Sequence, residues 1–515
     1  MAKQRSNSFN TYINIITSIG VMAINLIISF WLSPYIIQTI GVEANGFVSL
    51  ANNFVTYANL VVTALNAMAA RFITIAYIQK DYKKANMYYN SVFWGNLIIV
   101  ALLLLPAVYL IARLENFIDI PSDILLDVKT LFSLVFLAFF VRTGAPNYDC
   151  GTYITNRMDL SYIPNMATSI LRCIILVSMF ALWNPHVWYV SFTSTVISFI
   201  TLGIAGYFTH KLTPELRVNL RHPICSKCAI WELVGSGIWS AIAGGGAMLL
   251  NGLDLLICNL YVGATAMGIL SLSKTLPSVL GQLSDAITDA FVPEMTINYA
   301  TGSKDILLSN IKRSIKISSV ILTIPAGGIA VMSDAFYSLW VPSQDARLLQ
   351  ILTTLAIMSY LITSGNNILL RVFAIVNRTR LSAVAMIISG VLSLFVTWAI
   401  IVSTEYDIYA VAGVSTVITI CKNVFFVTPV TSILLGYKWH QFLPQIGVTV
   451  ISSVTTILVG VVIRWFVSVD SWITFFFASA IIAMVGLFLN MVIVLNREER
   501  RYLINKFLGK FIKQK

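Results

Sequence analysis

The chain has 515 residues, 57% of them hydrophobic and only 11% charged, and a mean hydropathy of +0.82. Soluble domains carry charge on roughly a quarter of their residues, so this composition excludes a water-covered globule. The net charge of +12 follows where Lys and Arg sit between long apolar runs, so it reads as a topology signal and not as a nucleic-acid footprint.

In chain order, apolar runs near the ~20 residues that a bilayer crossing needs fall at 12–38, 46–76, 88–112, 126–148, 160–182, 186–209, 232–261, 266–297, 314–333, 349–371, 381–402, 409–435, 445–467 and 472–495. They are too long and continuous for barrel strands, and a helix satisfies its own backbone in lipid. The expectation is an all-α, polytopic protein of about 14 transmembrane helices. The first run is too long for a cleavable signal peptide, and no small-residue cleavage site follows it. On the side opposite the N-terminus the basic residues are only Arg113, Lys129, Arg347 and Arg464, whereas acids favour that side. Lys and Arg accumulate in cytoplasmic loops. Both termini are therefore expected in the cytoplasm, with the chain multi-pass in the cell (cytoplasmic) membrane.

The first two spans carry polar stripes. Span one offers Ser18, Asn25 and Ser29; span two offers Asn52, Thr56, Asn59, Thr63 and Asn66, at steps of four and three that hold one helix face. Arg71 follows, close enough to the inner surface to snorkel. Arg142 and Asp149 lie two turns apart on one face and are expected to pair through a neighbour. Arg172 lies about 12 residues into span five, roughly 18 Å deep at 1.5 Å per residue, near the midplane.

The basic loop 210–231 contains Cys225-Ser-Lys-Cys228 with His222 and His210 nearby. A single C-x-x-C there reads either as a zinc or redox pair or as ordinary loop cysteines, and no metal is assigned.

After this loop the sequence repeats itself. Gly41-Val-Glu-Ala-Asn-Gly46-Phe-Val-Ser-Leu is echoed by Gly263-Ala-Thr-Ala-Met-Gly268-Ile-Leu-Ser-Leu, and Pro106 and Pro325 fall at nearly matching points. Span seven carries Ser240, Gly244, Asn251 and Asp254. Span eight carries Lys274, Ser278, Gly281, Asp285 and Thr288. The expected organisation is an N-lobe at 1–209, a linker at 210–231, a second six-helix lobe at 232–435, and two added helices with a basic tail at 436–515. Two lobes of equal orientation relate by an axis along the membrane normal. The stripes surround a wet cavity or serve as interhelical hydrogen bonds.

Ionisable groups in hydrocarbon are costly and need a partner or a role. Lys274 and Asp254 reach similar depth on adjacent helices and read as a salt bridge or as a substrate or ion site. Asp285 and Asp289 lie one turn apart, with Pro277 placed to hinge or kink their helix. Arg371 and Glu294 are close enough to the inner surface to snorkel, and Lys422 is unassigned. The tail from Arg500 reads as a surface helix on anionic lipid or as a frayed end.

With the repeat and topology in place, the segments Pro34-Tyr-Ile-Ile-Gln-Thr-Ile-Gly41, Gly46-Phe-Val-Ser-Leu and Asp254-Leu-Leu-Ile through Gly263, Gly268 and Pro293 resemble the multidrug/oligosaccharidyl-lipid/polysaccharide (MOP) exporter superfamily. Its polysaccharide-unit (Wzx-like) flippases are the nearest match. The resemblance implies a MATE-like fold and alternating access. It also implies transfer of a polyprenyl-pyrophosphate-linked oligosaccharide from the inner to the outer leaflet, with no enzymatic step and no cofactor. By position, Arg71, Arg172 and Lys274 would meet the pyrophosphate, with Asn25, Asn52, Asn59, Asn66 and Asn251 lining the cavity. Asp254, Asp285, Asp289 and Pro277 would serve coupling to H+ or Na+ or gating. Membrane lipids, a polysaccharide polymerase and glycosyltransferases would be partners. The alternatives are an organic-cation antiporter of the same superfamily and, from a different class, a membrane-embedded glycosyltransferase.

Overall fold

The computed structural model describes residues 7–219, 226–301, 304–404 and 407–503. Every regular element among them is helical. The chain divides into two compact units: residues 1–245 with 263–268, and residues 246–262 with 269–515.

The first unit comprises α1 (Asn7–Ile40), α2 (Val42–Asn66), α3 (Ala69–Ile78), α4 (Tyr82–Ala112), α5 (Leu125–Gly144), α6 (Asp149–Ile154), α7 (Asp159–Leu182), α8 (Tyr189–Leu212) and most of α9 (Lys227–Ala247). The second comprises α10 (Asp254–Tyr261), the rest of α11 (Ala264–Ser273), α12 (Thr275–Asp289), α13 (Val292–Ala300), α14 (Lys304–Trp340), α15 (Ala346–Thr363), α16 (Ile368–Ile375), α17 (Thr379–Ser403), α18 (Asp407–Cys421), α19 (Thr428–Leu434), α20 (Pro444–Phe466), α21 (Trp472–Ile493) and α22 (Arg497–Leu503).

Among the described residues, twelve helical stretches are long and apolar enough to cross a membrane, and the chain is an all-helical membrane protein. The two expected spans missing from the twelve are helical, one of them charged and the other divided in two. In α5 the residues Asp127, Lys129 and Arg142 share 20 residues. The eighth span is broken at Lys274 into α11 and α12, of 10 and 15 residues.

The break has a covalent cause. Proline lacks the N–H that would bond the carbonyl four residues back, and its ring crowds that carbonyl. For Pro277 that residue is Ser273. The helix parts at Lys274, and the Thr353 hydroxyl on α15 donates to the Ser273 carbonyl instead (3.1 Å). The bend lies one turn before the proline.

The internal repeat is visible in the first unit. Gly41 and Gly263 both take positive φ, 106° and 119°, which only glycine adopts without strain. Each turns the chain from one helix into the next. Two residues on, Thr265 donates to the Glu43 carboxylate (2.5 Å). A Cβ on Gly46 would lie 2.9 Å from the Gly268 Cα, and one on Gly268 2.5 Å from the Val42 carbonyl oxygen. Glu43 and Thr265, and likewise Gly46 and Gly268, are repeat equivalents 222 positions apart that meet each other.

In the second unit the long α14 organises the packing. Its Ser319 and Thr323 reach Thr449 (2.7 Å) and Ser452 (2.6 Å) on α20. Asn490 on α21 donates to Thr456 on α20 (2.9 Å). Small hydroxyl side chains let membrane helices approach closely and bond across the contact. A large apolar cluster around Phe291, Ile315, Ile317, Phe373 and Phe442 is buried within this unit.

Candidate functional site

The first unit encloses a cavity of about 720 Å³ between α2, α5, α7 and α8. Asn52, Thr56, Asn59 and Asn66 on α2 line it, so four of the five stripe residues read from sequence share one surface, while Thr63 is not among its lining residues. Opposite lie Arg142 near the end of α5 and Arg172 in the middle of α7. Neither guanidinium makes an ion pair among the described residues. Asp149 lines the same cavity and is exposed. Arg142 and Asp149 thus line the same cavity without a direct ion pair between them among the described residues.

The remaining wall mixes apolar side chains such as Val135, Phe139 and Leu202 with polar groups that were missed in the sequence. Asn96, Asn147 and Asn165 add carboxamides. Ser191, Ser194, Ser198 and Thr201 form a stripe on α8, at steps of three, four and three. That spacing is the signal that would have identified it. Ser194, Ser198 and Thr201 donate back to carbonyls of their own helix, so what they turn to the cavity is acceptor oxygen. Asn66 and Asn96 bond each other reciprocally (2.8 and 3.2 Å), which ties α2 to α4 at this wall. The cavity thus offers two cations, a few amide donors and many acceptor oxygens.

Two other first-unit residues expected at the site lie elsewhere. Arg71 is exposed on α3 and Asn25 is exposed on α1; neither lines this cavity.

In the second unit Lys274 and Asp254 do meet, in a short ion pair. The Lys274 ammonium also donates to the Asn251 carbonyl (3.2 Å). The helix makes both contacts possible by irregularity: Met248–Gly252 winds as a π-helix just before α10, and the chain parts at Lys274. Arg371 does not snorkel alone. It bridges Asp285 (3.0 Å) and Asp289 (2.9 Å), all three partly or well exposed. Glu294 is taken by Arg313 (2.8 Å). Lys422 is buried at the start of a second π-helix, Lys422–Val427, with its ammonium 3.1 Å from the Met386 sulfur.

The second unit also holds an apolar cavity of about 380 Å³ lined by Ile324, Ile329, Met332, Phe336, Phe475 and Ile482. Cys225 and His222 lie outside the described residues, as do residues 504–515 of the tail, and Cys228 is an exposed free thiol.

No protein-family model matches the sequence. The uncharacterized membrane protein EpsK of Bacillus subtilis (strain 168) is 24% identical over 499 residues, covering 96% of this chain and 97% of that protein. Among solved structures, the lipid II flippase MurJ in an inward closed conformation is similar with a TM-score of 0.66 at 14% identity, over 93% of this chain and 98% of that one. An inward-facing multidrug resistance MATE family transporter of the MOP superfamily is similar with a TM-score of 0.64 at 12% identity, over 84% of this chain and 99% of that one. The fold is the one shared by MurJ and the MATE transporters.

Proposed function

We propose that the protein is a flippase of polyprenyl-pyrophosphate-linked oligosaccharides, carrying them from the cytoplasmic to the outer leaflet by alternating access. The observation that carries this reading is the first-unit cavity, where Arg142 and Arg172 stand without carboxylate partners among amides and acceptor oxygens. Unpaired guanidinia suit the bidentate geometry of phosphate oxygens. Sugar hydroxyls are donors, and the inward-facing oxygens of the α8 stripe and the asparagines suit them. The likeness to a lipid II flippase in fold supports a lipid-linked cargo, and no enzymatic step is invoked.

Lys274 contributes less charge than its position alone suggests, because Asp254 neutralises it. Within this reading, Asp254, Asp285 and Asp289 are the coupling groups, and H+ or Na+ acts by competing with Lys274 or Arg371 for them. The break next to Pro277 gives that region its freedom to bend. Both termini are assigned to the cytoplasm, and the cargo's makers and users, glycosyltransferases and a polymerase, are the expected partners.

An organic-cation antiporter would need acids free in its cavity. The acid pair of α12 is instead held by Arg371, and the first-unit cavity has Asp149 against two Arg.

In cells whose surface polysaccharide depends on this chain, Arg172→Ala and Arg142→Ala should each abolish or strongly reduce surface polymer while the protein stays in the membrane at normal amount. Normal polymer in both variants would refute the anion cavity. Resistance to cationic drugs on overexpression would favour the antiporter.

A further inference from the structure

Residues 213–219 follow α8 on the side of the expected linker, yet they do not run free. A turn at 214–215, closed by the Leu216 N–H on the Thr213 carbonyl (3.1 Å), leads into a stretch that lies along the first turns of α4 and is read there by two asparagines one turn apart. Asn86 donates from its amide to the Glu215 carbonyl (2.7 Å) and accepts from the Arg217 N–H (2.9 Å). Asn90 does the same one step on, donating to the Arg217 carbonyl (2.9 Å) and accepting from the Asn219 N–H (2.9 Å). A carboxamide presents one acceptor and two donors, so each asparagine meets the chain as a neighbouring strand would. The spacings agree: one helical turn advances 5.4 Å, and two residues of extended chain advance roughly 6.6 Å.

Side chains complete the docking. Leu216 is fully buried in a cluster with Ile73, Tyr88, Tyr89 and Leu233. The Tyr77 hydroxyl donates to the Glu215 carboxylate (2.5 Å). Beyond the strap, Ser91 accepts from the Ser226 N–H (3.1 Å) and Tyr88 donates to Glu232 on α9 (2.7 Å). Both described ends of the linker are thus fixed to the same helix.

We infer that residues 213–219 form a docked strap, read through its main chain by Asn86 and Asn90 and anchored by Leu216, which makes the linker part of the first unit and fixes the start of α9 upon it. Asn90 is fully buried, and an amide placed there without partners would be costly. The strap supplies those partners.

Hydrogen exchange on the full-length protein in lipid nanodiscs tests this, read on peptides covering 210–221. Wild-type amides at Arg217 and Asn219 should be protected. Asn219→Pro removes the N–H that Asn90 accepts and should speed exchange of the strap by about tenfold, as expected for one lost buried hydrogen bond with its orphaned partner. Asn219→Ala keeps that N–H and should loosen the strap clearly less than Asn219→Pro. Asn86→Ala should deprotect Arg217. Free-chain exchange rates in the wild type would overturn the strap. Equal loosening by Asn219→Ala and Asn219→Pro would overturn main-chain reading.

Discussion

Lys274 and Asp254 show how far single residues can be read from their positions. Their depths, counted from Gly263, brought them together on paper, and the structure places them in an ion pair. Charges with several candidate partners were harder, because helix azimuth decides between them. Arg371 was read only as close enough to the inner surface to snorkel, and its partners Asp285 and Asp289 lie on a different helix. Contacts across helices of distant sequence leave no periodic trace. For Lys274 and Asp254 the expected outcome is asymmetric. Lys274→Met should cost about 3–5 kcal/mol, since it strands a buried carboxylate, and should lower the melting temperature of the purified protein. The double exchange Lys274→Asp with Asp254→Lys should recover most of the loss. A double variant no better than the singles would assign the two residues separate tasks.

At the scale of elements, stripes were legible and interruptions were not. Four of the five α2 stripe residues line the cavity as their spacing implied, because a helix fixes which residues share a face. The break in the eighth span was placed at Pro277 and occurs at Lys274, one turn earlier, because a proline acts on the carbonyl four residues behind it. The π-helical segments at 248–252 and 422–427 have no sequence signature comparable to glycine or proline. The glycine repeat was the clearest signal of all, since only glycine allows both the positive φ at 41 and 263 and the approach at 46 and 268. Gly268→Leu should therefore destabilise the purified protein by about 1–3 kcal/mol or more through overpacking. Gly447→Ala on α20, where a Cβ meets nothing within 4 Å, should be neutral or raise stability by up to about 1 kcal/mol from helix propensity. Equal melting temperatures for both variants would show that the glycine contact is not tight.

For the whole molecule, composition and charge asymmetry sufficed to establish a helical membrane protein, because lipid permits few other solutions. Two spans depart from a plain apolar run: α5 carries three charges in 20 residues and the eighth span is divided at Lys274, and these are also the helices that bring Arg142, Lys274 and Asp285 to their places. Charged helices that fail an apolarity test are where a transporter keeps its polar work. The cargo itself was not legible from residues, since an anion cavity accepts many phosphates. The measurement that tests the flippase reading most directly is leaflet transfer in proteoliposomes holding the purified full-length chain and a fluorescent polyprenyl-pyrophosphate oligosaccharide. Arrival of the sugar in the outer leaflet is read by an added glycosidase that cannot enter. Wild-type protein should expose the internal pool, and the Arg142→Ala/Arg172→Ala pair should leave it protected as in empty vesicles. Equal exposure with wild-type protein and with protein-free vesicles would contradict the proposed function.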